Sequence, residues 1–266
     1  MYFARRSLSI RFLAGTALGL AVVLAHVLFA VVPLRMGISD FKANPGNFSP
    51  YYHWIMGDTF WSLVFSLLLP FMAALGNSQM TYEDADSGFL MHILQIRGRA
   101  GYAVFSLVSV CVSAFLSTLL VLLTDVLLTF SLLPDVRPDQ VLNSSEGYSC
   151  LFTYHVDWMY SDPWKLVFFY IILAGCVSAL FAMMTAVCGL YFKNRFTVMF
   201  SGFLLGMVFF VLANQQIVNV PSFLLVLPVM SQMYLPSFGT LCIWYLGCFA
   251  LLFCLQLLGV KRHADI

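Results

Sequence analysis

Few residues in this chain have types that do chemistry, and most of them sit in one short stretch. Met80-Thr-Tyr-Glu-Asp-Ala-Asp-Ser-Gly-Phe-Leu-Met-His-Ile-Leu-Gln-Ile-Arg-Gly-Arg99 runs from acidic to amphipathic to basic. Glu83, Asp84 and Asp86 suit a helix N-terminus, where negative charge meets unpaired backbone N–H groups. Thr81 with Asp84 three positions on resembles a capping box, with Asp in place of the usual Glu or Gln. Beyond Ser87-Gly88, the apolar residues Phe89, Leu90, Ile93, Leu94 and Ile96 recur at helical spacing. Arg97 and Arg99 stand at the far end, where cations are favoured. Such a segment is either an ordinary interfacial helix that only ties two spans together or a docking helix for a partner. Glu83, Asp84, Asp86, Gly88, Phe89, Leu90, Ile93, Leu94, Arg97 and Arg99 are the candidate partner-coupling residues.

The remaining polar chemistry lies inside apolar runs. Asp125 is the one clearly intramembrane acid, a functional hypothesis by default. It falls late in its run, near a membrane boundary, which suits an acid hydrogen-bonded to Thr124 or Thr129. His26 reads as packed and hydrogen-bonded. Ser62 and Ser66 share a helical face one turn before Pro70, a stripe that either lines a translocation path or packs against a neighbouring helix. No HExxH, GxSxG or GxxxxGK[ST] motif is present. The chain therefore has no phosphate loop with which to hydrolyse ATP, and any active work draws on another polypeptide. His53, His155 and Asp157 lack metal-ligand spacing, and no metal site is expected. Of the seven cysteines only Cys150 falls outside the apolar runs, so no disulfide is expected among the loops, and the rest read as small packing residues.

The elements that must position these residues are membrane spans. The chain has 266 residues, 61% hydrophobic and 9% charged, against about 25% charged in a soluble domain. The expected fold is all-α and polytopic, a single domain over 1–266 with six spans near 12–32, 59–75, 102–127, 166–190, 196–212 and 239–258. Each approaches the ~20 apolar residues a spanning helix needs. Continuous apolar runs exclude a strand barrel, whose strands alternate. Arg5, Arg6, Arg11, Arg97, Arg99, Lys193, Arg195, Lys261 and Arg262 fall on one side of this layout. Only Arg35, Lys42, Arg137 and Lys165 fall on the other. The positive-inside rule then places both termini in the cytoplasm of a cell membrane. The first run is too long for a signal-peptide core and reads as an uncleaved anchor.

Three further features follow from spacing. Tyr51, Tyr52, Trp54, Tyr154, Trp158, Tyr160 and Trp164 lie beside span ends, as in an interfacial aromatic belt. The apolar stretch within Ala213–Phe238 is interrupted by Pro221, Pro228 and Pro236, which favours an outer re-entrant hairpin over a seventh span. Gly15-Thr-Ala-Leu-Gly19 and Gly202-Phe-Leu-Leu-Gly206 are GxxxG motifs that allow close helix approach, either within one chain or at a dimer interface, for which Gly15, Gly19, Gly202 and Gly206 are the candidate positions.

In layout the chain resembles the type-2 ATP-binding-cassette permeases, the membrane halves of bacterial exporters. The resemblance is most specific at the connector. Members often show an acid four residues before a glycine, then an apolar stretch, then basic residues before the third span. Asp84-Ala-Asp-Ser-Gly88, Phe89–Leu94 and Arg97/Arg99 occupy those places. A proline common after the apolar stretch is replaced by Gln95-Ile96, and a lysine often found at the start of the third span is absent. The resemblance implies that the connector is a coupling helix seated in a cleft of a cytoplasmic ATPase subunit. ATP and Mg would belong to that subunit, with no cofactor on this chain. It also implies pairing with a second copy or a related permease, with spans one and five near the dimer axis. The expected cargo is amphiphilic: an antimicrobial peptide, a drug-like compound or a lipid. No nucleic-acid partner is implied. Two other classes compete. A motor-free membrane immunity or sensor protein predicts no ATPase partner. An intramembrane enzyme predicts clustered acids or histidines at mid-depth, which the sequence lacks.

Overall fold

The computed structural model describes residues 10–38, 45–139, 153–214 and 236–264. The described residues are helical, with no strand among them. Six helices are long and apolar enough to cross a membrane, the build of a multi-pass membrane protein.

The first span, α1, runs Ile10–His26, widens into a π-turn at Val27–Val31 and continues as α2, Val32–Met36. A short α3 follows at Pro50–His53. The second span, α4, is Thr59–Leu75, within the expected bounds. It starts where the Asp58 carboxylate accepts a hydrogen bond from the Trp61 amide at 2.9 Å, a standard N-cap contact. A 3₁₀ turn at Asn77–Gln79 leads into α5, Met80–Asp86. Then comes α6, Phe89–Leu132, which breaks at Gly98. Its long arm, Arg99 to Leu132, measures about 50 Å at helical rise. That exceeds a hydrocarbon core of ~30 Å and outruns the expected 102–127. After a short α7, Asp157–Ser161, the fourth span is α8, Pro163–Tyr191. The fifth, α9, is Arg195–Asn214 and the sixth, α10, is Phe238–Ala264, which runs past its expected end at 258.

The fourth span is the central pillar. In its most apolar window 78% of the residues are buried, against 22% for the fifth and sixth spans, which lie at the periphery. Small residues explain the difference. Ala174, Gly175, Ser178, Ala179, Ala182, Ala186 and Gly189 let neighbouring helices approach closely. The core gathers Leu122 and Val126 of the third span, Phe65 and Leu69 of the second and Val23 and Val27 of the first around Tyr170, Phe181 and Ala182 of the pillar.

Both ends of the described chain lie at the end of the bundle that carries the connector. Near the start of the first span, Gly15 faces Met72 and Gly76, just before the connector. At the end of the sixth, the His263 ring bonds the Leu190 carbonyl at the foot of the pillar. Arg5, Arg6, Lys42, Cys150 and the expected re-entrant hairpin, apart from its ends, lie outside the described residues.

The small-residue motifs act within one chain. A Cβ on Gly15 would come 2.6 Å from the Met72 carbonyl oxygen, and one on Gly19 would meet Met72 and Val121. Gly202 packs on Phe181 and Thr185 of the pillar, and Gly206 is buried. Gly15, Gly19 and Gly202 thus make the within-chain contacts that the motifs also allowed. Their open faces are already filled by the second, third and fourth spans.

Candidate docking site at the connector

The connector is two helices joined by a glycine. The first, α5, carries the acids. Its approach to the pillar rests on Gly189, whose missing side chain leaves room for the α5 backbone. A Cβ there would lie 2.9 Å from the Tyr82 amide nitrogen and from the Thr81 hydroxyl. Through that contact Thr81 donates a hydrogen bond to the Ala186 carbonyl. The Tyr82 hydroxyl donates to the Lys193 carbonyl at 3.0 Å. Arg195 at the start of the fifth span donates to the Gln79 side-chain oxygen at 2.9 Å. Asp84 is fully buried and accepts from the Tyr102 hydroxyl at 3.0 Å.

These contacts correct the capping-box expectation. The α5 helix begins at Met80, its N-cap Gln79 makes no side-chain cap bond, and only Glu83 among the acids lies in its first turn. Thr81 and Asp84 are instead spent on tertiary contacts with the fourth and third spans.

Ser87 closes α5 by donating to the Glu83 carbonyl at 2.6 Å. Gly88 then takes a left-handed conformation, φ 72°, which favours glycine. The amphipathic arm follows from Phe89 to Arg97. Gly98, at φ 72° and ψ 166°, ends it in a region open essentially to glycine alone and re-aims the chain into the third span.

The arm has two distinct faces. Leu90, Ile93 and Leu94 are buried against Met80, Tyr102, Ala103, Leu190 and Val260, a small second core shared by α5 and the third, fourth and sixth spans. The rest of its surface is exposed. Ile96 is 71% exposed, and Phe89 and Met91 are also open, beside His92 and Gln95. The Arg97 guanidinium lies 4.9 Å over the Phe105 ring. The ten candidate coupling residues are thus brought together, but in two roles. Asp84, Leu90, Ile93 and Leu94 anchor the connector, while Phe89, which packs its ring on His92, and the neighbouring Met91 and Ile96 are exposed.

The other candidates fall elsewhere. Ser62 and Ser66 are buried, and the Ser66 hydroxyl donates to the Ser62 carbonyl at 2.6 Å. That is local helix bonding, and neither serine lines the cleft at Tyr82, Asp86, Lys193, Arg262 and His263. His53 bonds the Asn47 carbonyl, and His155 stacks on Trp158 at 4.3 Å. Asp125 bonds neither threonine named for it. Its partners are His26 and the Ile55 amide, while Thr124 bonds the Leu120 carbonyl. The one available signal for the His26–Asp125 pair was that a lone buried acid needs a partner.

No protein-family model, curated protein or solved structure matches this chain.

Proposed function

We propose that the chain is the membrane-spanning permease subunit of an ATP-driven exporter of the type-2 ATP-binding-cassette kind. A separate ATPase subunit docks on the Phe89–Arg97 arm at the cytoplasmic face. One observation carries this reading. The arm is fixed to three spans along one face and leaves apolar residues exposed on both rims of that face, Phe89 and Ile96 on one and Met91 on the other. A push delivered to such an arm passes through Leu90, Ile93 and Leu94 into the foot of the pillar. The competing use of the arm, as an interfacial helix that only ties two spans together, would turn the same residues to the bilayer surface. The basic residues at this end of the bundle, Arg97, Arg99, Lys193, Arg195, Lys261 and Arg262, support its cytoplasmic placement. The apolar groove between the third, fourth and sixth spans, lined by Leu107, Cys111, Met183 and Phe249, accords with an amphiphilic cargo.

The test is whether a reading frame adjacent to this chain's own encodes an ATPase, and whether that product co-purifies with the chain. Met91→Glu and Ile96→Glu are expected to abolish co-purification while leaving thermal stability within about 0.5 kcal/mol, as for exposed sites. Retained assembly and retained ATP-driven transport in both variants would sink the reading in favour of a motor-free immunity or sensor protein.

A further inference from the structure

The end of the bundle away from the connector is covered by a segment of the chain itself. Between the first and second spans, residues 45–58 fold inward as a 3₁₀ turn at Pro45–Phe48, helix α3 and a tight turn through Gly57. The aromatic residues here are no interfacial belt. Tyr51, Tyr52, Trp54, Ile55 and Met56 are buried in the main core. The Tyr51 ring lies edge-on to Phe130 at 4.9 Å and to Trp164 at 5.7 Å, bridging the third and fourth spans. Burial, with Asp135 nearby, pushes its hydroxyl pKa up to about 12. At the rim, Ser49 donates to the Val136 carbonyl at 2.7 Å.

Under the middle of this segment lies Asp125. One carboxylate oxygen accepts from the Ile55 amide at 2.7 Å, and the other lies 2.7 Å from His26 Nδ1. Both side chains are 0% exposed. His26 is the last residue before the π-turn, an irregularity that often marks functional positions. Its ring lies edge-on to Trp61, and its Nε2 has no hydrogen-bond partner. A single carboxylate thus joins the first span, the third span and the covering segment. Ionisable pairs in an apolar interior are poor stabilisers relative to packed hydrocarbon. The pair's burial here points to a contact whose value is specificity.

We propose that residues 45–58 are a closing cap over this end of the bundle, and that Asp125, oriented by His26, is its lock. The aromatic residues give the cap its fit. The Asp125–Ile55 bond gives it one register, because Asp125 is the acceptor for an amide that lies between helices. The cap and lock stand on this geometry alone. Their use as an exit gate rests on the export reading.

The test uses the purified chain in detergent without any ATPase, so it is independent of sidedness and of docking. A Met56→Cys probe is followed by maleimide labelling at residue 56, read by mass spectrometry. The probe is expected to label slowly when Asp125 is present. Asp125→Leu on the same background strands the Ile55 N–H and should speed labelling by about tenfold or more. Asp125→Asn should stay near the parent rate. Its amide can accept from Ile55 and donate to His26 Nδ1 in the other ring tautomer. Equal rates in the parent and Asp125→Leu overturn the lock. If Asp125→Leu does not accumulate, hydrogen exchange on the unaltered protein decides. Slow exchange at the Ile55 amide supports the lock, and exchange at the rate of an open loop overturns it.

Discussion

Replacing Gly189 by alanine tests whether the connector is truly seated on the pillar. In an exposed helix this change stabilises by about 1 kcal/mol, because alanine is the better helix former. Here the new methyl would lie 2.9 Å from the Tyr82 amide nitrogen and the Thr81 hydroxyl and 3.0 Å from Tyr82 Cβ. Comfortable contacts lie at about 3.5–4.0 Å, so α5 must retreat by at least half an ångström. A flexible side chain could swing away, but one obstacle is backbone. The retreat also stretches the Thr81–Ala186 hydrogen bond. Overpacking costs about 1–3 kcal/mol, and weakening a buried hydrogen bond adds about 1 kcal/mol. After the helix gain, the net loss is about 1–3 kcal/mol, concentrated in the connector. The control is Gly247→Ala in the sixth span, where the added Cβ meets nothing within 4 Å. Hydrogen–deuterium exchange over residues 80–97 is the assay, alongside thermal unfolding of both variants. Gly189→Ala should accelerate exchange in that window, and Gly247→Ala should be neutral or stabilising. Equal stability and unchanged exchange for the two variants would refute the seating.

Two other substitutions probe the same region. Gly98→Ala places a side chain at φ 72°, ψ 166° and should cost about 1–3 kcal/mol, read as a lowered unfolding temperature with loss of ATPase co-purification. Tyr102→Phe removes a hydroxyl from the buried Asp84 carboxylate. It should cost about 1–3 kcal/mol, measured by denaturant unfolding in detergent, and Phe89→Tyr on the open face serves as a neutral reference.

The spans were legible because continuous apolar runs have few alternatives, and the second was placed to the residue. Face assignment on the connector was harder. Phe89 to Ile96 is only about two turns, too short for periodicity to fix which side meets the protein. The structure puts the buried centre at Leu90, Ile93 and Leu94 and leaves Phe89 and Ile96 on its rim. The capping-box reading failed because Thr81 found a partner 105 positions away, a competition no local pattern reveals. GxxxG spacing announces a close approach without naming the neighbour, and here the neighbours are in the same chain. The aromatic residues of the cap share composition with an interfacial belt. What separates the two is the Asp125–Ile55 bond, which spans 70 positions.

The late position of the pillar in the sequence has a consequence for biogenesis. The third span and the connector leave the ribosome before Pro163–Tyr191, the helix that both pack against most extensively. Until that helix is inserted, Thr81 lacks its acceptor at Ala186, and Leu90 and Ile93 lack Leu190. The Phe89–Arg97 arm is therefore correctly presented only on a chain translated beyond the fourth span. A partner that recognises the arm would by the same token pass over unfinished molecules.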